Sequence, residues 1–130
     1  MSSGDLSEAI RGAAVGDIER AANGSVRQRY VFGPDFPGFA GHFPGRPILP
    51  AVVQIMAASL LLEAATGRRL APASIERAKF VSPIGPGAKV EIACRRISAD
   101  AAETWDVRID ADRQAAASFF LTLLVPAAHA

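Results

Sequence analysis

A chain of 130 residues, half of them apolar, is long enough for one packed core and short for two. Its formal charge of +1 gives no global case for binding nucleic acid. The single cysteine, Cys94, excludes an internal disulfide, and no apolar run reaches the roughly 20 residues that a membrane span needs. We therefore read one domain over 1–130, with no nucleic-acid or membrane partner.

Residues 1–10 are small and polar and are expected to fray. They have neither a basic start nor a continuous apolar segment, so they do not read as a secretory signal. With a lone cysteine, this points to a bacterial-type cytoplasm. The pattern over 13–22 is weak and fits strand or helix. Asn23-Gly24 tips it toward a hairpin, because that pair suits a two-residue turn. Residues 25–32 alternate, with Val26, Gln28, Tyr30 and Phe32 on one side, and Arg27, Arg29 and Val31 on the other. Gly33-Pro34-Asp35-Phe36-Pro37-Gly38 then forces a loop.

The chain's most distinctive stretch follows. A histidine sits in the loop Phe39-Ala40-Gly41-His42-Phe43-Pro44-Gly45-Arg46-Pro47-Ile48-Leu49-Pro50, which feeds an apolar run over 51–65. Glu63 is the only ionisable residue in that run, and apolar residues cover more than one face of its helical wheel. A helix apolar all round is a buried one. We expect a core helix of about 22 Å, at 1.5 Å per residue. Pro50 suits its start, and Gly67 a left-handed stop with Arg68-Arg69 near the negative end of the dipole.

Beyond it, 74–82 reads as a strand that Pro83-Ile84-Gly85-Pro86-Gly87 breaks. Over 88–98, Val90, Ile92 and Cys94 alternate with Lys89, Glu91 and Arg95, so Cys94 reads as a small core residue before it reads as a nucleophile. Residues 98–103 are expected to turn. Over 104–111, Trp105, Val107 and Ile109 point inward, and Asp106, Arg108 and Asp110 outward. Residues 115–125 are apolar on both faces, and such a strand is covered on both. Two strands, one buried helix and four strands make an α+β pattern: one mostly antiparallel sheet wrapped around the helix, with a partner chain over the last strand.

His42 precedes a helix N-terminus, where unpaired N–H groups and the positive dipole end favour an oxyanion or a carbonyl oxygen. A base beside such a site suits proton abstraction next to a carbonyl. The plainer reading is a histidine that hydrogen-bonds across its own loop, and spacing does not decide between them. His129 lies in the tail and reads as inert. No second histidine, and no Cys, Asp or Glu at ligand spacing, accompanies His42, so no metal and no cofactor is expected. Arg46, Lys79 and the pairs Arg68-Arg69 and Arg95-Arg96 read first as solvated surface and second as a patch for an acidic partner.

The stretch from Gly41 to Ile55 resembles the active-site signature of the hot-dog-fold 3-hydroxyacyl carrier-protein dehydratases of fatty acid synthesis. Ala78-Lys79-Phe80 and Pro83-Ile84-Gly85-Pro86-Gly87 add a weaker match. The resemblance implies a hot-dog fold, a curved antiparallel sheet around one long central helix, paired into dimers. It implies that His42 acts on the acyl chain beside the thioester, and that the N–H of Ala51 or Val52 holds the thioester oxygen. Phe43, Gly45 and Pro50 would shape the substrate loop. Arg46, Arg68, Arg69 and Lys79 would be candidates to meet an acidic carrier. The family's glycine at the helix start is Ala51 here. Its Glu or Asp, fourteen residues after the histidine and supplied by the partner subunit, is Met56 here, and a thioether cannot usefully move a proton. Glu63 shares that face but lies about 10 Å along the axis, and Asp35 lies in the loop before the histidine. Residues 1–12 also lack the family's usual N-terminal segment, which places the chain nearer divergent members serving aryl polyene or other secondary-lipid pathways.

Three functions follow. The first is a dehydratase removing water from a (3R)-hydroxyacyl thioester on acyl carrier protein or coenzyme A, as a homodimer or as a heterodimer with a related chain. The second is a non-catalytic acyl-binding or heterodimer subunit. The third is a hot-dog acyl thioesterase, for which the missing carboxylate near the helix start counts against the chain.

Overall fold

In the computed structural model of the chain, residues 3–39, 45 and 47–125 are described, the first three by backbone alone. The apolar run becomes α2 (Ala51–Thr66), close to the expected bounds. Gly67 ends it at φ 69°, its N–H bonded to the Glu63 carbonyl, a left-handed stop that costs glycine little. Six strands surround it: β1 (Ala14–Arg20), β2 (Val26–Val31), β3 (Ala71–Phe80), β4 (Lys89–Ala99), β5 (Ala102–Ala111) and β6 (Gln114–Leu124). They form one sheet in the order β1-β2-β4-β5-β6-β3, antiparallel at every pairing. This is the hot-dog architecture.

Register explains why the alternating strands share one core. Val26, Cys94, Val107 and Phe119 stand side by side across β2, β4, β5 and β6. The next rung is Gln28, Ile92, Ile109 and Ala117, continued by Phe80 on β3. Because side chains alternate, matched registers put every second residue on the helix side. Against these rungs α2 buries Val53, Ala57, Ala58, Leu61 and Leu62. Gln28 is the polar member of its rung. Its amide donates to the carbonyls of Val15 and Gly16, where a bulge in β1 interrupts the ladder.

Several sequence expectations are corrected. Residues 1–10 were expected to fray, but Ser3–Gly12 forms a helix, α1, that packs on α2. Leu6, Ala9 and Ile10 fall at helical spacing, and Ile10 is 1% exposed, so an apolar stripe overrides the polar composition. The expected turn over 98–103 shrinks to the two residues between β4 and β5. Asp106 does face away from the helix, as expected, yet it is buried, with Arg95 and Arg108 at 3.5 Å on either side of its carboxylate. The sheet and α1 cover most of the central helix and leave its head open, where Val52 is 64% exposed. On β6, Phe120 is half-buried and Leu124 is 49% exposed, so the outer apolar face is open within one chain. No helix among the described residues is long and apolar enough to cross a membrane.

Beyond α2, Glu103 is 5% exposed on the helix side of β5. It accepts from Arg68 at 2.7 and 2.9 Å and from the Trp105 indole at 3.3 Å. Glu63 Oε2 accepts the Leu70 N–H at 2.9 Å. These bonds fasten the chain as it leaves the helix. Glu103→Ala strands the buried indole N–H and one face of Arg68, and should cost about 1–3 kcal/mol. Urea unfolding should show a lower midpoint at unchanged slope.

Cys94 is buried in the rung of Phe119, and burial, then the Asp106 charge, pushes its thiol up to about 12 from 9.0. It is therefore a core thiol and not a nucleophile. The folded state holds this proton above pH 9, where the unfolded chain releases it, so the thiol's contribution to stability is complete below pH 9 and lost as pH rises toward 12. Native protein should resist alkylation at pH 8, react fully in denaturant, and lose thermal stability above pH 9; a Cys94→Ala variant should lose less over that range.

Candidate functional site

The chain enters α2 through a turn pinned from several sides. Leu49 is buried and donates its N–H to the Ile84 carbonyl at 2.7 Å, tying the helix entry to the loop between β3 and β4. That loop is the Pro83–Gly87 breaker, so a stiff segment holds a stiff segment. Pro50 sits at the capping position with φ −64° and ψ 153°, and no side chain caps the helix. The N–H groups of Val53 and Gln54 both turn back to the Pro50 carbonyl at 3.1 Å. Those of Ala51 and Val52 have no acceptor among the described residues. Two donors at the positive end of a sixteen-residue helix form a place for a carbonyl or anionic oxygen.

The sequence-predicted residues distribute around this turn as follows. Ala51 and Val52 are exposed at the helix head. Gly45 is exposed, with φ 82°, a conformation other residues adopt only with strain. His42, Phe43 and Arg46 lie outside the described residues. Met56 stands one turn beyond Val52, half-buried and packed on the edge of the core. Glu63 is committed to Leu70, seven residues and about 10 Å further on, and does not replace a carboxylate at position 56. Asp35 is exposed in the loop after β2. Arg68 is engaged by Glu103 at the far end of the helix, with Arg69 exposed beside it, and Lys79 is exposed on the edge strand β3.

One residue at this turn escapes sequence reasoning. Gln54 is 5% exposed, and its Nε2 donates to the Leu49 carbonyl at 3.1 Å. The available signal was an amide in the first turn of an otherwise apolar run. A separate cavity of about 790 Å³ opens on the outer side of the sheet. Arg29, Lys89 and Arg113 line it together with Glu91, Asp110 and Asp112, a mixture of charges unsuited to an acyl chain.

On α2 Val52 is exposed and Ile55, Met56 and Leu60 are half-buried, and the edge strand ends in Phe80, 42% exposed, followed by Val81 at 63%. An apolar stripe beside an unpaired strand edge is an incomplete surface.

A family model described as "ApeI-like: ApeI dehydratase" matches residues 18–119. The 3-hydroxyacyl-[acyl-carrier-protein] dehydratase FabZ of Granulibacter bethesdensis is 38% identical over 101 residues, which is 68% of this chain and 59% of that protein. The chain thus spans less than two thirds of the length of the curated relatives it matches. Among solved structures, the dehydratase heterocomplex ApeI:P from Xenorhabdus doucetiae superposes with a TM-score of 0.73 at 26% identity, covering 85% of this chain and 96% of that one. A hypothetical thioesterase with coenzyme A from Streptococcus pneumoniae superposes with a TM-score of 0.68 over 99% of this chain and 100% of that one; at 12% identity this is a likeness of fold.

Proposed function

Because the chain belongs to the ApeI-like family, described as ApeI dehydratase, we propose that it removes water from a 3-hydroxyacyl thioester. The reading rests on one observation: the N–H groups of Ala51 and Val52, without an acceptor among the described residues, at the head of a helix that directly follows the His42-bearing segment. A thioester oxygen seated there is stabilised as charge builds on it, by two donors and the positive end of the helix dipole. His42 is the base that takes the proton from C2. The electrons of that C–H bond form the C2=C3 double bond, the C3–O bond breaks, and the hydroxyl leaves with one proton as water. The product is the 2-enoyl thioester. Phe43, Gly45 and Pro50 shape the entrance, and Gly45 is suited to that by its left-handed backbone.

The proton for the leaving hydroxyl is not supplied by position 56, since a thioether is no acid. We assign it to a carboxylate brought by a second, related chain. The exposed stripe of α2 and the open edge of β3 support such a pairing, and the Xenorhabdus relative is itself described as a heterocomplex. In this arrangement the chain contributes the histidine half of a shared site. The carrier is acyl carrier protein or coenzyme A, met by Arg46, Arg69 and Lys79; Arg68 is drawn toward Glu103 instead. The lone reduced Cys94 favours the cytoplasm. The second reading, a subunit that binds acyl chains without catalysis, draws on the same Met56.

Enoyl absorbance from a 3-hydroxyacyl thioester tests this. His42→Ala should lower the rate of the active assembly by about 10² or more. Met56→Glu should raise the activity of the chain assayed alone. Equal silence of wild type and His42→Ala, even with an added partner chain, overturns the catalytic reading. A fully active homodimer that gains nothing from Met56→Glu overturns the assignment of the acid to a second chain.

A further inference from the structure

Helix α2 begins without the side chain that usually closes an N-terminal end. A Ser, Thr, Asp or Asn at position 50 would accept the N–H of Val52 or Val53 and steady the first turn. Pro50 does neither. The entry is nevertheless held, because both backbone groups of Leu49 are bonded: its N–H to Ile84, and its carbonyl to the Gln54 amide at 3.1 Å. Gln54 reaches back from inside the helix and steadies the turn from behind. A conventional cap would occupy donors that the site needs, whereas this one uses none.

The arrangement carries a penalty that packing does not explain. Gln54 Oε1 is the one buried side-chain oxygen or nitrogen without a hydrogen-bond partner among the described residues. Leaving a buried acceptor unpaired is destabilising, and an apolar side chain of similar volume would avoid it. Local rules are most often broken at functional sites.

We infer that Gln54 is a positioning residue: it locks the Leu49–Pro50 turn so that the Ala51 and Val52 N–H groups point at the substrate oxygen while both stay available to it. This rests on the thioester reading given above. Gln54 itself touches no reacting atom; it acts through the backbone of Leu49.

Two variants, assayed in the active assembly, test it. Gln54→Met keeps the volume and removes both the bond to Leu49 and the orphan oxygen. It should lower kcat about tenfold or more, leave KM within about threefold and keep the melting temperature within a few degrees. Gln54→Glu should be impaired at neutral pH, where an ionised carboxylate faces the Leu49 carbonyl. Its kcat relative to wild type at the same pH should rise on acidification, when the protonated acid donates to that carbonyl, although protonation of His42 lowers both rates. A wild-type kcat in Gln54→Met, activity lost only in step with folded protein, or a Gln54→Glu profile parallel to wild type overturns the assignment. Amide NMR signals of Ala51 and Val52 separate this from the thioester reading. If wild type turns over no thioester, that reading fails; broadened or doubled signals in Gln54→Met alone would still uphold the locked turn, and unchanged signals would refute it.

Discussion

A sixteen-residue helix with a single ionisable side chain has no face suited to water. Fully burying one large aliphatic side chain is worth about 1.5–3 kcal/mol, so Val53, Leu61 and Leu62 alone favour a cover strongly. The sheet supplies that cover on one side, with Val107, Ile109, Phe119 and Leu121 lying under the helix at no more than 1% exposure. It leaves the stripe that carries Val52 uncovered. The same constraint that makes the sheet curl thus leaves a surface whose apolar character calls for a second chain. The edge position of β3 adds a second open element.

Burial of the helix also shapes its chemistry. Here the head is anchored through Leu49 to the Ile84 loop and through Gln54 to its own first turn. Fixed donors need no reorganisation when a carbonyl oxygen arrives, and that is the condition under which they stabilise developing charge best. Pro47 and Pro50 restrict the backbone on the way into the helix.

Charged residues differ in what they touch. Arg68, Glu103, Arg95, Asp106 and Arg108 form ion pairs whose carboxylates are buried against the sheet. They fasten the helix exit and the outer face. Arg69 and Lys79 stand exposed. Composition treats all these cations alike, and only their partners separate a fastening from a surface open to an acidic carrier.

Local signals of short range were legible in the chain itself. The hairpin at Asn23-Gly24, although its loop takes the five residues between β1 and β2 and not two, the two-residue alternation of β2, β4 and β5, and the limits of α2 set by Pro50 and Gly67 all depend on contacts within a few residues. The loop around His42 marks the family for the same reason, being an unbroken string. Alternation told which way Asp106 points, but its burial depends on Arg95, a neighbour eleven residues away in sequence. The docking of α1 on α2, the engagement of Arg68 by Glu103 and the bond from Gln54 to the Leu49 carbonyl were likewise decided by tertiary structure. Each is a meeting of distant segments or of a side chain with a turn, and no periodicity records such a meeting.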